Sequence, residues 1–150
     1  MKEIAKFRGI IFVIILILFF FPFVDIKCNN QKLYEFTGFE LATGGKTIEY
    51  GEEETKTEPN RYASLALLLT FLSLILSFVN NKITILITKI FSIAGFASMI
   101  LLYYDLKNKI SPPDSLIVIG FNLLFPYYAV CILFFIYIFF ALYLLTLKNL

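Results

Sequence analysis

The last third of the chain contains a run, Ser115–Leu147, without one charged residue. A helix that is apolar all round has no aqueous face and must be surrounded by protein or by lipid. At about 1.5 Å per residue, the run is also far longer than the ~30 Å hydrocarbon core of a bilayer requires. Three other apolar stretches precede it, Gly9–Val24, Tyr62–Val79 and Ile83–Tyr104, the last interrupted only by Lys89. With 150 residues, 59% of them hydrophobic and 16% charged, the excess cannot be hidden in one small core. The same bias speaks against disorder. Lipid is the natural solvent for this chain.

The expected fold class is all-α membrane: a single integral membrane domain over residues 1–150, built as a four-transmembrane-helix bundle. The helices are expected at about 9–24, 62–79, 83–104 and 112–147, with a small β-rich extracytoplasmic loop at 25–61 between the first two. The first run is short for a bilayer, and snorkelling by Lys6 and Arg8 makes up the difference. No small-x-small site follows it, so it reads as a retained helix rather than a cleaved leader. Lys27 before Cys28 does not fit a lipoprotein signal. In the fourth run, Ser111-Pro112-Pro113-Asp114 has the grammar of a helix start, and Pro126 predicts a kink. Tyr127 and Tyr128 mark the membrane interface, so the helix is expected to protrude beyond it, with Leu116–Phe121 covered by the loop. The basic start of the first helix places both termini in the cytoplasm. The Lys-, Ile- and Phe-rich composition points to a bacterial plasma membrane.

In the loop, Lys32–Thr37 and Lys46–Tyr50 alternate and favour β structure, with Gly38 and Gly44-Gly45 as turns between them. A hairpin or meander is expected, offering Tyr34, Phe36, Phe39 and Leu41 as a candidate partner surface. The acidic stretch Glu52–Asn60 reads as a solvated tether into the second helix, or as a site for a divalent cation or basic partner.

Within the spans, Ala63, Ala66, Thr70, Ser73, Ser77 and Asn80 fall on one helical face, and Thr84, Thr88, Ser92, Gly95 and Ser98 on another. Small residues let helix backbones approach closely in lipid, so the two faces are expected to meet; a polar substrate path is the sharper alternative. Lys89, the one charge inside a span, is the candidate functional residue of the membrane interior.

Several chemistries lack their parts. The chain has no His and a net charge of +2, which leaves neither the commonest base and metal ligand nor a nucleic-acid-binding bias. Cys28 and Cys131 make no metal cluster and read as free thiols, with a disulfide between them as the alternative. Asp25, Glu35 and Glu40 have no spacing that suggests a shared site. No catalytic residue, cofactor or metal site is expected, and the chain is not read as an enzyme.

Pro22-Phe23, Cys28 and Thr37-Gly38-Phe39-Glu40-Leu41-Ala42-Thr43-Gly44 together resemble a pattern in uncharacterised small bacterial multi-pass membrane proteins. That resemblance implies no activity. The layout is also similar to claudin-like and tetraspan proteins, but there is no Trp, and the loop has one cysteine rather than a pair. The expected function is therefore structural: an accessory subunit or scaffold presenting residues 25–61 to a membrane-protein partner or to a second copy. The alternative is a small oligomeric transporter or channel component that uses Lys89 and the two small-residue faces.

Overall fold

A computed structural model describes residues 2–28, 31–45, 47–50, 53–79, 81–110 and 119–147. The order is α1 (Lys2–Phe19), β1 (Pro22–Cys28), β2 (Gln31–Thr37), α2 (Gly38–Thr43), β3 (Thr47–Tyr50), β4 (Glu53–Lys56), α3 (Arg61–Ser77), α4 (Lys82–Ile110), β5 (Ile119–Leu123) and α5 (Phe125–Leu147). The protein is mostly helical with a small three-stranded sheet at one end of the helices.

Two helices, α4 over Lys82–Lys109 and α5 over Phe125–Thr146, are long and apolar enough to cross a membrane. α3 is apolar but shorter, and α1 opens on the charged sequence Lys2-Glu3-Ile4-Ala5-Lys6. The first helix ends at Phe19 rather than at Val24. Proline disfavours helix in the residue before it, so Pro22 closes the segment, and Pro22–Val24 join β1 instead.

The fourth apolar run is not one helix. Ile119–Leu123 form β5, antiparallel to β1, with Val24 opposite Leu123 and Ile26 opposite Phe121. The physical reason is visible in the residues. Apolar positions 119, 121 and 123 alternate with Gly120 and Asn122, which are poor helix formers, so the local period is two rather than 3.6. Of the apolar segment expected to be covered by the loop, Ile119–Phe121 pair with β1 as strand rather than as helix, and residues 116–118 lie outside the described residues. Pro126 does not kink a helix; it lies in the first turn of α5, where its missing N–H costs nothing. The Ser111-Pro112-Pro113-Asp114 start lies outside the described residues.

The loop is also re-paired. β2 binds β1, giving the sheet order β2-β1-β5, while β3 pairs with β4, so the acidic stretch contributes a strand instead of a tether. Thr37–Gly44, expected as turns around an open segment, contain α2, capped by a reciprocal pair: the Glu40 N–H donates to Thr37 Oγ1 and the Thr37 N–H to the Glu40 carboxylate. Gly44 takes φ +69°, with Thr57 O and Pro59 N 2.7 Å from where a Cβ would stand. No other residue fits there without displacing backbone.

Around the bundle, α3 and α4 run antiparallel through a short turn, α4 packs on α5, and α1 closes against α3 and α5. The core holds Phe12, Ile15, Phe19 and Phe23 from the N-terminal third, Ala63 and Ala66 from α3, and Val130, Phe134 and Tyr137 from α5.

Candidate functional site

The two small-residue faces are buried: Ala66, Thr70, Ser73 and Ser77 on α3, Thr88, Ser92 and Gly95 on α4, with Thr84 half-buried near the turn. Asn80, expected to extend the first face, lies outside the described residues. Three of the hydroxyls turn back on their own helices, and Ser73 Oγ is buried without a partner. Thr70 donates to the Ala66 carbonyl at 2.7 Å, Ser77 to Leu74 at 2.6 Å and Ser92 to Thr88 at 2.9 Å. The faces also serve more than each other. A Cβ on Gly95 would stand 2.8 Å from the Phe134 ring of α5, and one on Gly9 of α1 would stand 3.3 Å from Ser77 Oγ. Small residues here admit large neighbours from α5 and close approach from α1.

Beside Thr88, bonded to both α4 and α5, sits a residue that, in the sequence, marks only a helix boundary. Arg8 is 0% exposed. Its Nε donates to the Tyr137 hydroxyl and its Nη2 to Thr88 Oγ1, each at 3.2 Å. Thr88 Oγ1 lies 2.7 Å from the Tyr137 hydroxyl and within reach of the Thr84 and Ile85 carbonyls at 2.8 and 3.1 Å, so either hydroxyl can donate in the Thr88–Tyr137 bond. Arg8 Nη1 is buried with no partner. Among the described residues no carboxylate pairs with it. A signal was available: Arg8, Phe12, Ile15 and Phe19 recur at spacings of 4, 3 and 4, which puts Arg8 on the core-facing stripe of α1.

Lys89 follows Thr88 on α4 but turns away from this cluster. It is half-exposed and makes no hydrogen bond or ion pair among the described residues. Of the paired tyrosines, Tyr127 is buried and donates to the Met99 carbonyl at 2.6 Å, while Tyr128 is exposed.

No family model matches this chain, and no curated protein or solved structure matches it either. The chemistry of the sheet end must be read from its own residues.

There the register brings together two carboxylates with no sequence relation: Asp25 of β1 stands opposite Glu35 of β2 and Asn122 of β5. Asp25 is 5% exposed, one oxygen 3.6 Å from Lys27 Nζ and the other without a hydrogen-bond partner. Glu40 belongs elsewhere, in the α2 cap. Among the described residues no three His, Cys, Asp or Glu gather as for a metal ion. On the opposite face of the sheet, Val24, Ile26 and Phe36 wall a cavity of about 310 Å³ closed by Leu41 and Leu106, with Glu40, Glu58 and Lys109 also lining it.

The four candidate surface residues of the loop divide. Phe36 is 6% exposed and belongs to the cavity wall; Leu41 is half-buried against the core. Tyr34 is half-buried, and Phe39 is exposed, stacked on Phe20 at 5.2 Å. Cys131 carries a free thiol, and the side chain of Cys28 lies outside the described residues.

Asn60 fastens the cap to the helices. Its side-chain oxygen accepts from the N–H groups of Tyr62 and Ala63, its amide donates to Asp105 of α4 at 2.6 Å, and its own N–H donates to the Leu41 carbonyl at 2.7 Å. Lys109 completes the end of α4 with a 3.0 Å ion pair to Asp105.

Proposed function

We propose that this chain is a four-pass integral membrane protein of interaction type, an accessory subunit or scaffold that presents its 25–61 segment to a partner from the outer face of a bacterial plasma membrane. The observation that carries the reading is where the sheet sits. α1 runs into β1 and β5 runs into α5 through the shortest of connections, so segments nearly a hundred positions apart are tied into one cap over the same end of the bundle. A cap of that kind is a rigid platform on rigid stems.

The exposure pattern supports four crossings. Ile10, Ile14 and Ile17 on α1, Leu68, Phe71 and Ile75 on α3, Ile83, Leu86 and Ile90 on α4, and Phe135 and Phe139 on α5 are all largely exposed. An apolar belt of that extent on every long helix suits lipid and not water. The sheet end carries the larger number of Lys and Arg, and it is the dense basic start of α1, with Lys2, Lys6 and Arg8 close together, that supports placing the opposite end in the cytoplasm.

The second reading, a small oligomeric transport component, is favoured by the buried Arg8 and by Lys89, because a charge inside a span marks function more often than structure. The two readings separate experimentally. Crosslinking in intact membranes, followed by affinity purification and mass spectrometry, is expected to recover a reproducible heterologous partner, and the crosslinks should map to residues 31–45. Recovery of a pure homo-oligomer, with activity lost in Lys89→Met, would move the assignment to transport.

A further inference from the structure

We infer that Arg8 is the receiving group of an anion site in the membrane interior, and that its ligand is a phosphate oxyanion, carried on an anionic phospholipid headgroup or free in solution. The inference rests on the membrane reading and not on whether the protein is scaffold or transporter.

Three observations carry it. First, the guanidinium is wholly buried and its charge is not compensated by any carboxylate among the described residues. Such a charge costs several kcal/mol unless paired, so an unpaired one is retained for a task or completed by a ligand. Second, the spans around it are poor in acids: no Asp or Glu lies between Glu3 and Asp25, between Glu58 and Asp105, or from Ser115 to Leu147. Third, the guanidinium is held along one side only. Tyr137 and Thr88 fix Nε and Nη2, and Nη1 is left as a pre-oriented donor, together with the remaining Nη2 proton. That fork matches two oxygens of a phosphate, which Arg takes in bidentate fashion.

The position fits a headgroup source. From Lys82 at the helix end to Thr88 is about 9 Å of α4, within reach of a phosphate drawn below the interface. Lys6 and Lys82 lie at that end of the helices. Access requires α1 to part from α5 on the Phe7–Phe140 side, where the rings meet at 5.0 Å and Phe7 is half-exposed.

The test uses the purified full-length chain in a neutral detergent, read by thermal unfolding, with membrane integration checked separately by resistance to alkaline carbonate extraction. Wild type is expected to gain at least about 4 °C with saturating phosphatidylglycerol and nothing with phosphatidylcholine. Arg8→Met, which removes the charge and keeps an apolar side chain, is expected to fold and to lose that gain. Arg8→Lys keeps the charge without the fork and is expected to retain less than half of it. A gain with inorganic phosphate in phosphatidylcholine, absent in Arg8→Met, assigns the site to the free anion. If phosphatidylglycerol and inorganic phosphate both leave wild type unshifted, or if Arg8→Met and Arg8→Lys respond as wild type does, the anion site is overturned. Loss of the protein on carbonate extraction would instead sink the membrane reading beneath it.

Discussion

The Arg8 Nε meets the Tyr137 hydroxyl at 3.2 Å, joining the first turns of the chain to its last helix across 129 positions. Phe12 packs its ring 4.6 Å from the same tyrosine, one turn further along α1. The contact is polar at one level and aromatic at the next, so it fixes both the rotation and the depth of α1 against α5.

Removing only the hydroxyl should therefore be costly. Tyr137→Phe keeps the ring packing but orphans Arg8 Nε and removes the Thr88–Tyr137 bond. A loss of about 1–3 kcal/mol is expected, the range for a buried bond to a charged group. In an Arg8→Met background the same substitution should cost less than half as much, because the stranded charge is gone. Reversible unfolding in mixed micelles measures both, and equal costs in the two backgrounds would show that the pair is not coupled.

Gly95 is required by Phe134 rather than by its backbone. A methyl at that position would stand 2.8 Å from a ring that is 0% exposed and has little room to retreat. Gly95→Ala is expected to destabilise by about 1–3 kcal/mol despite its better helix propensity. Adding Phe134→Leu should recover part of the loss, whereas an ordinary surface glycine would gain stability from the change to alanine.

Asn60 caps α3 and at the same time holds Asp105. Asn60→Ala should cost about 1–2 kcal/mol for the cap alone and speed hydrogen exchange in the first turn of α3. Asn60→Ser keeps a capping oxygen but cannot reach Asp105 in the same way, so an intermediate exchange rate is expected. Identical rates for Ser and Asn would remove the Asp105 bond from the account.

Phe121 sits opposite Ile26 and packs on the Tyr103 ring at 5.9 Å. Phe121→Ser is expected to loosen β5 from β1 and raise limited proteolysis within residues 38–60, with the helical spans still protected. Unchanged cleavage would mean that β1 and β2 hold the cap without the third strand.

Much of the helical part is legible in the sequence because it depends on local composition. The α3 position and the start of α4 follow from where the charges fall, whereas α4 runs six residues past Tyr104 to Ile110, through Asp105, Lys107 and Lys109; the small-residue faces follow from their 3- and 4-residue spacing. Expectation and structure part where two periods compete. Ile119–Leu123 lies in an uncharged run, and its length and apolarity argue for helix, while its alternation argues for strand; the partner β1 decides the outcome. The acidic stretch differs for a related reason. Charge describes how a segment meets water and says little about whether its backbone finds a partner, which for β4 is β3.

Composition and spacing determined that the chain surrounds itself with apolar surface, roughly where its long helices lie, and which helix faces are small enough to pack closely. Those properties reside in neighbouring residues and survive any arrangement of the helices. Which strand pairs with which, and which charge ends up without a counter-charge, depends on contacts between distant segments. Arg8 is the clearest case. As a letter close to Lys6 it is one more basic residue at the start of a helix. Only the closing of α1 against α3 and α5, which brings it beside Thr88 of α4, takes it out of water, gives it two hydroxyls, and leaves its third nitrogen unmatched.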